Sequence, residues 1–249
     1  MEGPCIPIAD KVYRNVHPGH PEEVLAVAKV ENIDAIAISC NDMGLESVGY
    51  CCDQLGLTGL SYASAKAASN KLLMKELLVK NGVRTARYFN IHNLEELRNV
   101  VRKLSFPVIL KATDLQGSRG ICVVREVSDL ESSYREVMSF THKDYCIIEE
   151  FIEGIEFGAQ AFVFHGEVLF ILPHGDYVFH GDTGVPIGHW VPFELDEEII
   201  NDAKEQLQLA ADAMKLNNCA MNADFILVNG KTYVLEIGGR SGATCLSEM

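Results

Sequence analysis

Apolar and polar positions along the 249-residue chain fall into short blocks whose period changes repeatedly. Asp34–Ser39 (DAIAIS) is a short continuous apolar run, which predicts a strand covered on both faces. GLESVGYCCDQLG follows as a helix ending at Gly56, and LTGLS as another short strand, so the first 60 residues read as part of a parallel α/β unit. The opening strand and glycine-rich turn of such a unit are missing from MEGPCIPIADKVY, and CLSEM ends abruptly. The chain is therefore expected to be truncated at both ends.

Further along, the 3.6-residue period predicts one helix from Ser64 to Asn81, with Leu72, Leu73, Leu77 and Leu78 on one face and Gly82 just past its end. ARYFNI reads as a strand, and NLEELRNVVRKL as a helix with Asn93 as N-cap and Glu96 three residues on. PVILKAT and ICVVRE are strands flanking a polar loop, SDLESSYREVMSF is a helix, and YCIIEEFI a strand. EFGAQAFVFHGEVLFILPH predicts a hairpin turning at His165-Gly166, followed by a Gly- and His-rich loop over 175–191. Glu197–Lys215 is a helix, with Ile200, Ala203, Leu207, Ala210, Ala211 and Met214 along one side. CAMNADFILVNGKTYVLEIGG is a hairpin marked by Asn229-Gly230. The order gives an α/β (α+β) class: an α/β start over 1–60, a small ββαβ module over 84–152, then a β-rich module with one helix over 153–249. Hairpin connections in the second half predict antiparallel sheets and disfavour a plain dinucleotide-binding fold.

The hydrophobic fraction of 48% supplies a core, and a net charge of −14 argues against a nucleic-acid or anionic-membrane partner. No run of about 18 apolar residues and no signal peptide is present. Eight cysteines at 5, 40, 51, 52, 122, 146, 219 and 245 form no CxxC pair or Cys/His cluster, so they read as reduced thiols in a cytoplasmic protein.

The chemistry sits at strand ends. Lys111 closes an apolar strand, where a cation is costly unless it meets an anion, and the following DLQGSRG offers backbone N–H groups, Ser118 and Arg119 to phosphates. An ordinary hairpin with a snorkelling lysine fits as well. Glu149, Glu150, Glu153 and Glu156 straddle another strand end, as ribose acceptors or as a solvated acidic turn. With Asn229-Gly230 as a two-residue turn, Val228 faces Lys231 and Asp224 faces Leu235, one place from Glu236. A perfect ladder would put Asp224 and Glu236 on opposite faces, and a bulge would bring them to one. Two carboxylates so placed call for Mg²⁺, or for pairing with Arg or Lys. His174, His180, His189 and the only Trp, Trp190, mark 174–191 as an acceptor pocket, a lid or a connector.

In this order, ASNKLLMKELLVKNGV, FPVILKATDLQGSRGI, IIEEFIEGIEF and NADFILVNGKTYVLEIGGR resemble the ATP-grasp superfamily of carboxylate–amine ligases from about Ser61 to Thr244. The resemblance implies an ATP-grasp domain over 61–249, with two α+β subdomains clasping ATP, behind the end of a preceding α/β domain. It implies that Lys71 and Lys111 bind phosphates under a flap of Gly117, Ser118, Arg119 and Gly120. Glu150 and Ile152 would read adenine, with Glu149 alongside and Leu235 beneath, and Glu156 would bind ribose. Asp224 and Glu236 would hold Mg²⁺ (or Mn²⁺), and Arg240 would stabilise an acyl-phosphate.

Asn70 stands where the family usually has Asp. Gly238 stands where it has the Asn that helps hold a second ion, leaving Glu236 alone, Asn222 or a water to do so. The implied reaction joins a small-molecule carboxylate to an amine, and GHWVP is most similar to the amino-acid-ligase branch, with His180, His189, Trp190 and Asn222 toward substrate. Bicarbonate activation, as in biotin carboxylase and carbamoyl-phosphate synthase, is the alternative, and a catalytically silent nucleotide-binding protein another. A homodimer is compatible with each.

Overall fold

The computed structural model describes residues 6–115, 117, 119–180 and 184–243, with the side chains of 178–180 and 184–186 outside that description. Two helices, α1 (Pro21–Glu31) and α2 (Leu45–Leu55), dominate the first 60 residues. The first was not anticipated from its pattern, because only Leu25 and Ala28 are buried. Its start is nonetheless encoded by proline in the first turn and by Glu22 and Glu23 at the positive end of the helix dipole. The expected strands over 34–39 and 57–61 do not form. Residues 35–38 have no ladder partner, and Ser39 makes a single parallel bridge to Ser241. An apolar run becomes a strand only where neighbours satisfy its backbone, and among the described residues none flank 35–38.

The single helix expected over 64–81 is two, α3 (Tyr62–Ser69) and α4 (Lys71–Lys80). Asn70 breaks it: its backbone is extended, and its side-chain carbonyl accepts from Leu72 N at 3.0 Å and Leu73 N at 3.2 Å. An amide caps these orphan N–H groups as a carboxylate would, so Asn replaces Asp here without loss of the turn. Lys71 thereby becomes the first residue of α4.

The small sheet contains β1 (Tyr88–Ile91), β2 (Val108–Lys111), β3 (Ile121–Val124) and β4 (Cys146–Glu150), in the order β1-β4-β2-β3 and antiparallel throughout. Helices α5 (Leu94–Val101) and α6 (Leu130–Phe140) pack on one face around Ile91, Leu97, Leu110, Val137 and Ile148. Asn93 caps α5 by accepting from Glu96 N at 2.9 Å, but Glu96 reaches back to His92 N rather than to Asn93 N.

The large sheet is β7 (Gly184–Trp190), β6 (Glu167–His180), β5 (Ile155–Phe164), β8 (Cys219–Val228) and β9 (Lys231–Gly238), in that order and also antiparallel. Helix α7 (Glu197–Met214) covers one face with α3 and α4, burying Phe157, Ala159, Leu207, Ala223, Phe225, Val234 and Ile237. The turns at His165-Gly166 and Asn229-Gly230 fall as expected, all four residues at positive φ. The loop expected over 175–191 is mostly a hairpin, because Gly175 lies opposite Trp190 and a Cβ there would come within 2.1 Å of the indole. Glycine in this stretch makes room for a ring rather than a loop.

The two sheets are stitched by the segment leading into β1. Arg84 O accepts from Val234 N at 2.8 Å, Arg84 Nε donates to Thr232 O at 2.9 Å, and Thr85 Oγ1 donates to Val234 O at 2.6 Å.

Candidate active site

The hairpin β8–β9 decides where the acids point. From Val228↔Lys231 to Phe225↔Val234 the register follows the two-residue turn, then shifts so that Asp224 pairs with Glu236. Leu235 is the extra residue of this bulge, and the slip of one place brings both carboxylates to the same face. It is the face away from α7. Across the sheet the register continues as Glu236–Asp224–Gly158–His174, and one pair along as Gly238–Asn222–Gln160. A polar stripe therefore crosses β9, β8, β5 and β6 on the open side of the sheet.

Three lysines and an inner glutamate lie across from this stripe. Lys71 Nζ pairs with Glu236 Oε1 at 2.5 Å and donates to Leu115 O at 3.0 Å. Lys111 Nζ meets Glu149 Oε2 at 2.6 Å, and Lys75 Nζ lies 3.2 Å from Glu149 Oε1 and donates to Thr85 Oγ1 at 2.6 Å. Glu149 is 1% exposed, so its charge is worth keeping only because two cations flank it. Burial opposes ionisation of Glu149, but Lys111 and Lys75 hold it below the usual carboxylate range. Burial likewise opposes the charge on Lys111, and Glu149 outweighs it, so Lys111 is raised. Lys75 goes the other way: burial dominates and lowers it despite Glu149.

Burial, then Glu236 and Asp176, push Asp224 up to about 7, against His174 and Lys71. Asp224 is nevertheless exposed to the cleft, so water weakens the burial contribution, and the like charge opposite is the firmer cause. Burial raises Glu236 too, but Lys71 wins and the net shift is downward. Two hard-oxygen donors side by side, one of them resisting ionisation because of the other, suit a divalent cation such as Mg²⁺.

A cavity of about 610 Å³ lies between the sheets, lined among others by Val79, Arg87, Tyr88, Glu150, Ile152 and Tyr233. Strand alternation separates the neighbouring acids of β4: Glu149 turns inward to the lysines, while Glu150 turns out to the cavity. Leu235 is absent from that lining, and its place in the bulge is its evident role. Glu156 is exposed on β5, two residues before Gly158 and on the same face. In the turn between β2 and β3, Gly117 and Gly120 have φ of 67° and 66°, and Ala112 N donates to Gly120 O at 2.8 Å. Arg119 is exposed in that turn, and Ser118 lies outside the described residues.

Arg240 follows β9 and is nearly buried. Its Nη2 donates to Asp42 Oδ2 at 2.7 Å, and its buried Nε has no hydrogen-bond partner among the described residues. A Cβ on Gly238 would lie 3.2 Å from the guanidinium carbon, so the thin backbone lets Arg240 fold back over β9. Ser39 Oγ meets Ser241 Oγ at 2.8 Å and Cys40 Sγ meets Gly242 O at 3.2 Å, which fixes the 39–42 loop beside Arg240.

At the other end of the stripe, Asp176 Oδ1 takes both His174 Nδ1 at 3.0 Å and His189 Nδ1 at 2.5 Å. Gln160 joins this group to Asn222 and Gly242: its Nε2 donates to Asn222 Oδ1 and lies 3.4 Å from His174 Nε2, while its Oε1 accepts from Gly242 N at 2.8 Å. Trp190 belongs elsewhere. It lies on the opposite face of β7 from His189, against Tyr177 and Phe193. His180 ends β6, and its side chain lies outside the description.

Lys75, Asp42, Gln160 and Asp176 were not singled out from sequence. Lys75 follows Lys71 by four, which places both on one face of a helix. Asp176 follows His174 by two, the spacing of one strand face.

Two antiparallel sheets holding a cavity between them, with lysines from one side facing acids from the other, form the ATP-grasp fold. The chain matches the family model for phosphoribosylglycinamide synthetase, ATP-grasp (A) domain, over residues 69–244, and it belongs to that family. Among curated proteins, alanine–anticapsin ligase of Bacillus subtilis (strain 168) is 25% identical over 231 residues, 84% of this chain and 48% of that protein. The chain thus spans about half the length of this relative. The crystal structure of phosphoribosylglycinamide synthetase from Anaerococcus prevotii aligns with a TM-score of 0.80 and 42% identity, covering 98% of this chain and 61% of that one. The L-amino acid ligase from Bacillus licheniformis aligns at 0.72 with 22% identity, over 91% and 54%, a likeness of fold alone.

Proposed function

We propose that the chain carries the nucleotide-binding and metal-binding part of an ATP-dependent carboxylate–amine ligase. The observation that carries this is the pairing of Asp224 with Glu236 on the open face of the sheet, opposite Lys71 and Lys111. In this reading ATP lies between the sheets, its base and ribose in the cavity beside Glu150, Ile152 and Tyr233, and Glu156 toward the sugar. Lys71 and Lys111 hold phosphates, with Gly117, Arg119 and Gly120 in the flap above. Asp224 and Glu236 hold Mg²⁺ (or Mn²⁺), which supplies neutralisation of phosphate charge when bound. Asn222, which pairs with Gly238, would add an oxygen where the family has its Asn.

A substrate carboxylate oxygen then attacks the γ-phosphorus, the bond to ADP breaks, and an acyl-phosphate forms. An amine attacks the acyl carbon, phosphate leaves with the bonding electrons, and the nitrogen gives up one proton to the departing phosphate. The protein's part is positioning and charge. Lys111 keeps its proton because Glu149 fixes it, so it offers a permanent cation to the transferred group. Arg240, whose Nε–H is unused among the described residues, faces the same charge.

The name of alanine–anticapsin ligase supports an amino acid as one substrate. The free thiols at 40, 51, 52, 122, 146 and 219 support a cytoplasmic setting, and among the described residues no helix is long and apolar enough to cross a membrane. The test is ADP release with a panel of amino acids, for the native chain and for Glu236→Ala. Release that depends on an added carboxylate and disappears in the variant is expected. No such release from the native protein would sink the ligase reading.

A further inference from the structure

The polar stripe does not end at the metal pair. It runs on across Gly158 to His174 and Asp176 on β6 and His189 on β7. Gly158 is part of how the cluster is built: a Cβ there would come within 2.1 Å of the His174 ring, so only glycine lets the imidazole lie flat across β5.

Within the cluster the side chains of His174 and His189 are 2% and 6% exposed, while that of Asp176 is 25% exposed. Each imidazole directs its Nδ1 at the same oxygen, Oδ1. The second oxygen of Asp176 takes no hydrogen bond among the described residues. His174 is itself fixed from behind by Gln160, whose amide nitrogen lies 3.4 Å from Nε2. A carboxylate held by two rings on one oxygen, with the other oxygen open to the cleft, is a preorganised acceptor for a cation.

We propose that Asp176 is the seat of the ammonium group of the amine substrate, with His174 and His189 as the residues that position it. Charge assigns the side of the reaction. Of the two organic groups to be joined, the carboxylate is repelled by Asp176, and the ammonium is the one it attracts. Position agrees. With strands about 4.8 Å apart, β6 lies two strands and roughly 10 Å from Asp224 on the same face. An ammonium seated at Asp176 yields one proton to that carboxylate before it attacks, and the free amine then reaches toward an acyl group held over Asp224 and Glu236 without competing for the metal pair. This inference rests on the ligase reading for the identity of the cation, though the binding of a cation at Asp176 does not.

The first test is catalytic. Hydroxylamine is largely neutral near pH 7.5 and traps acyl-phosphates as hydroxamates, so it needs no ammonium seat. Asp176→Asn, which also removes a like charge from the surroundings of Asp224, is expected to lower kcat/KM for an α-amino acid as the amine by about tenfold or more beyond any change it makes in carboxylate-dependent hydroxamate formation. An equal fall in both would overturn the assignment, since it would mark Asp176 as merely structural; so would no fall in either.

The second test needs no turnover and no variant. Calorimetric titration of the native protein with glycinamide, and with glycolamide as its neutral isostere, should give binding of the cation about tenfold tighter or more. Equal affinities, or no binding of glycinamide, would overturn the seat. Loss of that preference in Asp176→Asn would place it at this residue. If the native protein forms no hydroxamate with any carboxylate, the ligase reading falls, and the glycinamide titration still decides whether Asp176 binds an ammonium.

Discussion

Lys71 Nζ lies 2.5 Å from Glu236 Oε1, which places a phosphate-binding candidate in contact with a metal-binding one. The two come from the first turn of α4 and from β9, and each neutralises the other across the cleft. Phosphate and metal would replace both halves of this pair at once, the lysine turning to one and the glutamate to the other. Lys71→Ala should therefore act with opposite sign on two ligands. It should weaken MgADP by about ten- to a hundredfold through loss of a charged hydrogen bond. It should also strengthen Mn²⁺ binding without nucleotide, because the competing cation is gone. Calorimetry measures both, and weakening of both would show that the pair is only a structural tie.

The three buried charges around Glu149 respond unequally to removal. Glu149→Gln leaves Lys75 and Lys111 inside without an anion and should cost about 3–5 kcal/mol. Lys75→Met removes the one member for which burial outweighs the opposite charge beside it, and Lys111 continues to neutralise Glu149. Its cost should be smaller by about 2 kcal/mol or more, since a flexible apolar side chain fills the same space. Denaturant unfolding of both variants gives the comparison, and equal costs would refute it.

Much of this was legible in the sequence, and the gaps have physical causes. The period of α7, the Asn229-Gly230 turn and the cap at Asn93 are local signals, and local signals survive into the fold. The common face of Asp224 and Glu236 depended on a bulge at Leu235, which turn geometry allows but does not require. Lys75 was hidden because a lysine in KLLMKELLVK reads as a solvated face, and its burial is set by Glu149 on β4, distant in sequence. Asp176 was hidden because glycines and histidines suggested a loop, whereas Gly158 and Gly175 give up their side chains to His174 and Trp190. The apolar run at 34–39 carried a strand pattern without the partners that make a strand.

Asp202 couples folding to pH. It accepts from Arg84 Nη2 at 2.5 Å, Thr232 N at 2.8 Å and Thr232 Oγ1 at 2.7 Å, tying α7 to β9. Burial works against its charge, but the Thr232 groups and Arg84 hold it below the usual carboxylate range. A depressed folded-state value stabilises the fold above the unfolded value of about 3.9 and is lost as pH falls through and below that point. The stability difference between native protein and Asp202→Asn should be flat from about pH 7 to 5, near 1–3 kcal/mol, and should shrink below about pH 4. A gap that widened on acidification would reverse the sign.

Gly238 stands opposite Asn222, and a side chain there would meet the guanidinium of Arg240 at 3.2 Å. Arg240 is the movable partner in that contact, since the nearest atoms belong to the end of a flexible side chain. Gly238 is not among the positive-φ glycines, so its backbone accepts a side chain without strain. Gly238→Asn should therefore fold with a stability change of about 1 kcal/mol or less. It restores an oxygen donor beside Glu236, on the face where the nucleotide's phosphates are proposed to lie. Counting bound Mn²⁺ by electron paramagnetic resonance in the presence of ADP should reveal tighter binding of a second ion, by about tenfold for one added hard-oxygen ligand. Arg240 must shift to make room, so turnover should fall even as the ion binds more tightly. Unchanged Mn²⁺ binding would show that Asn222 already supplies that oxygen, and Asn222→Ala should then lose what Gly238→Asn failed to add.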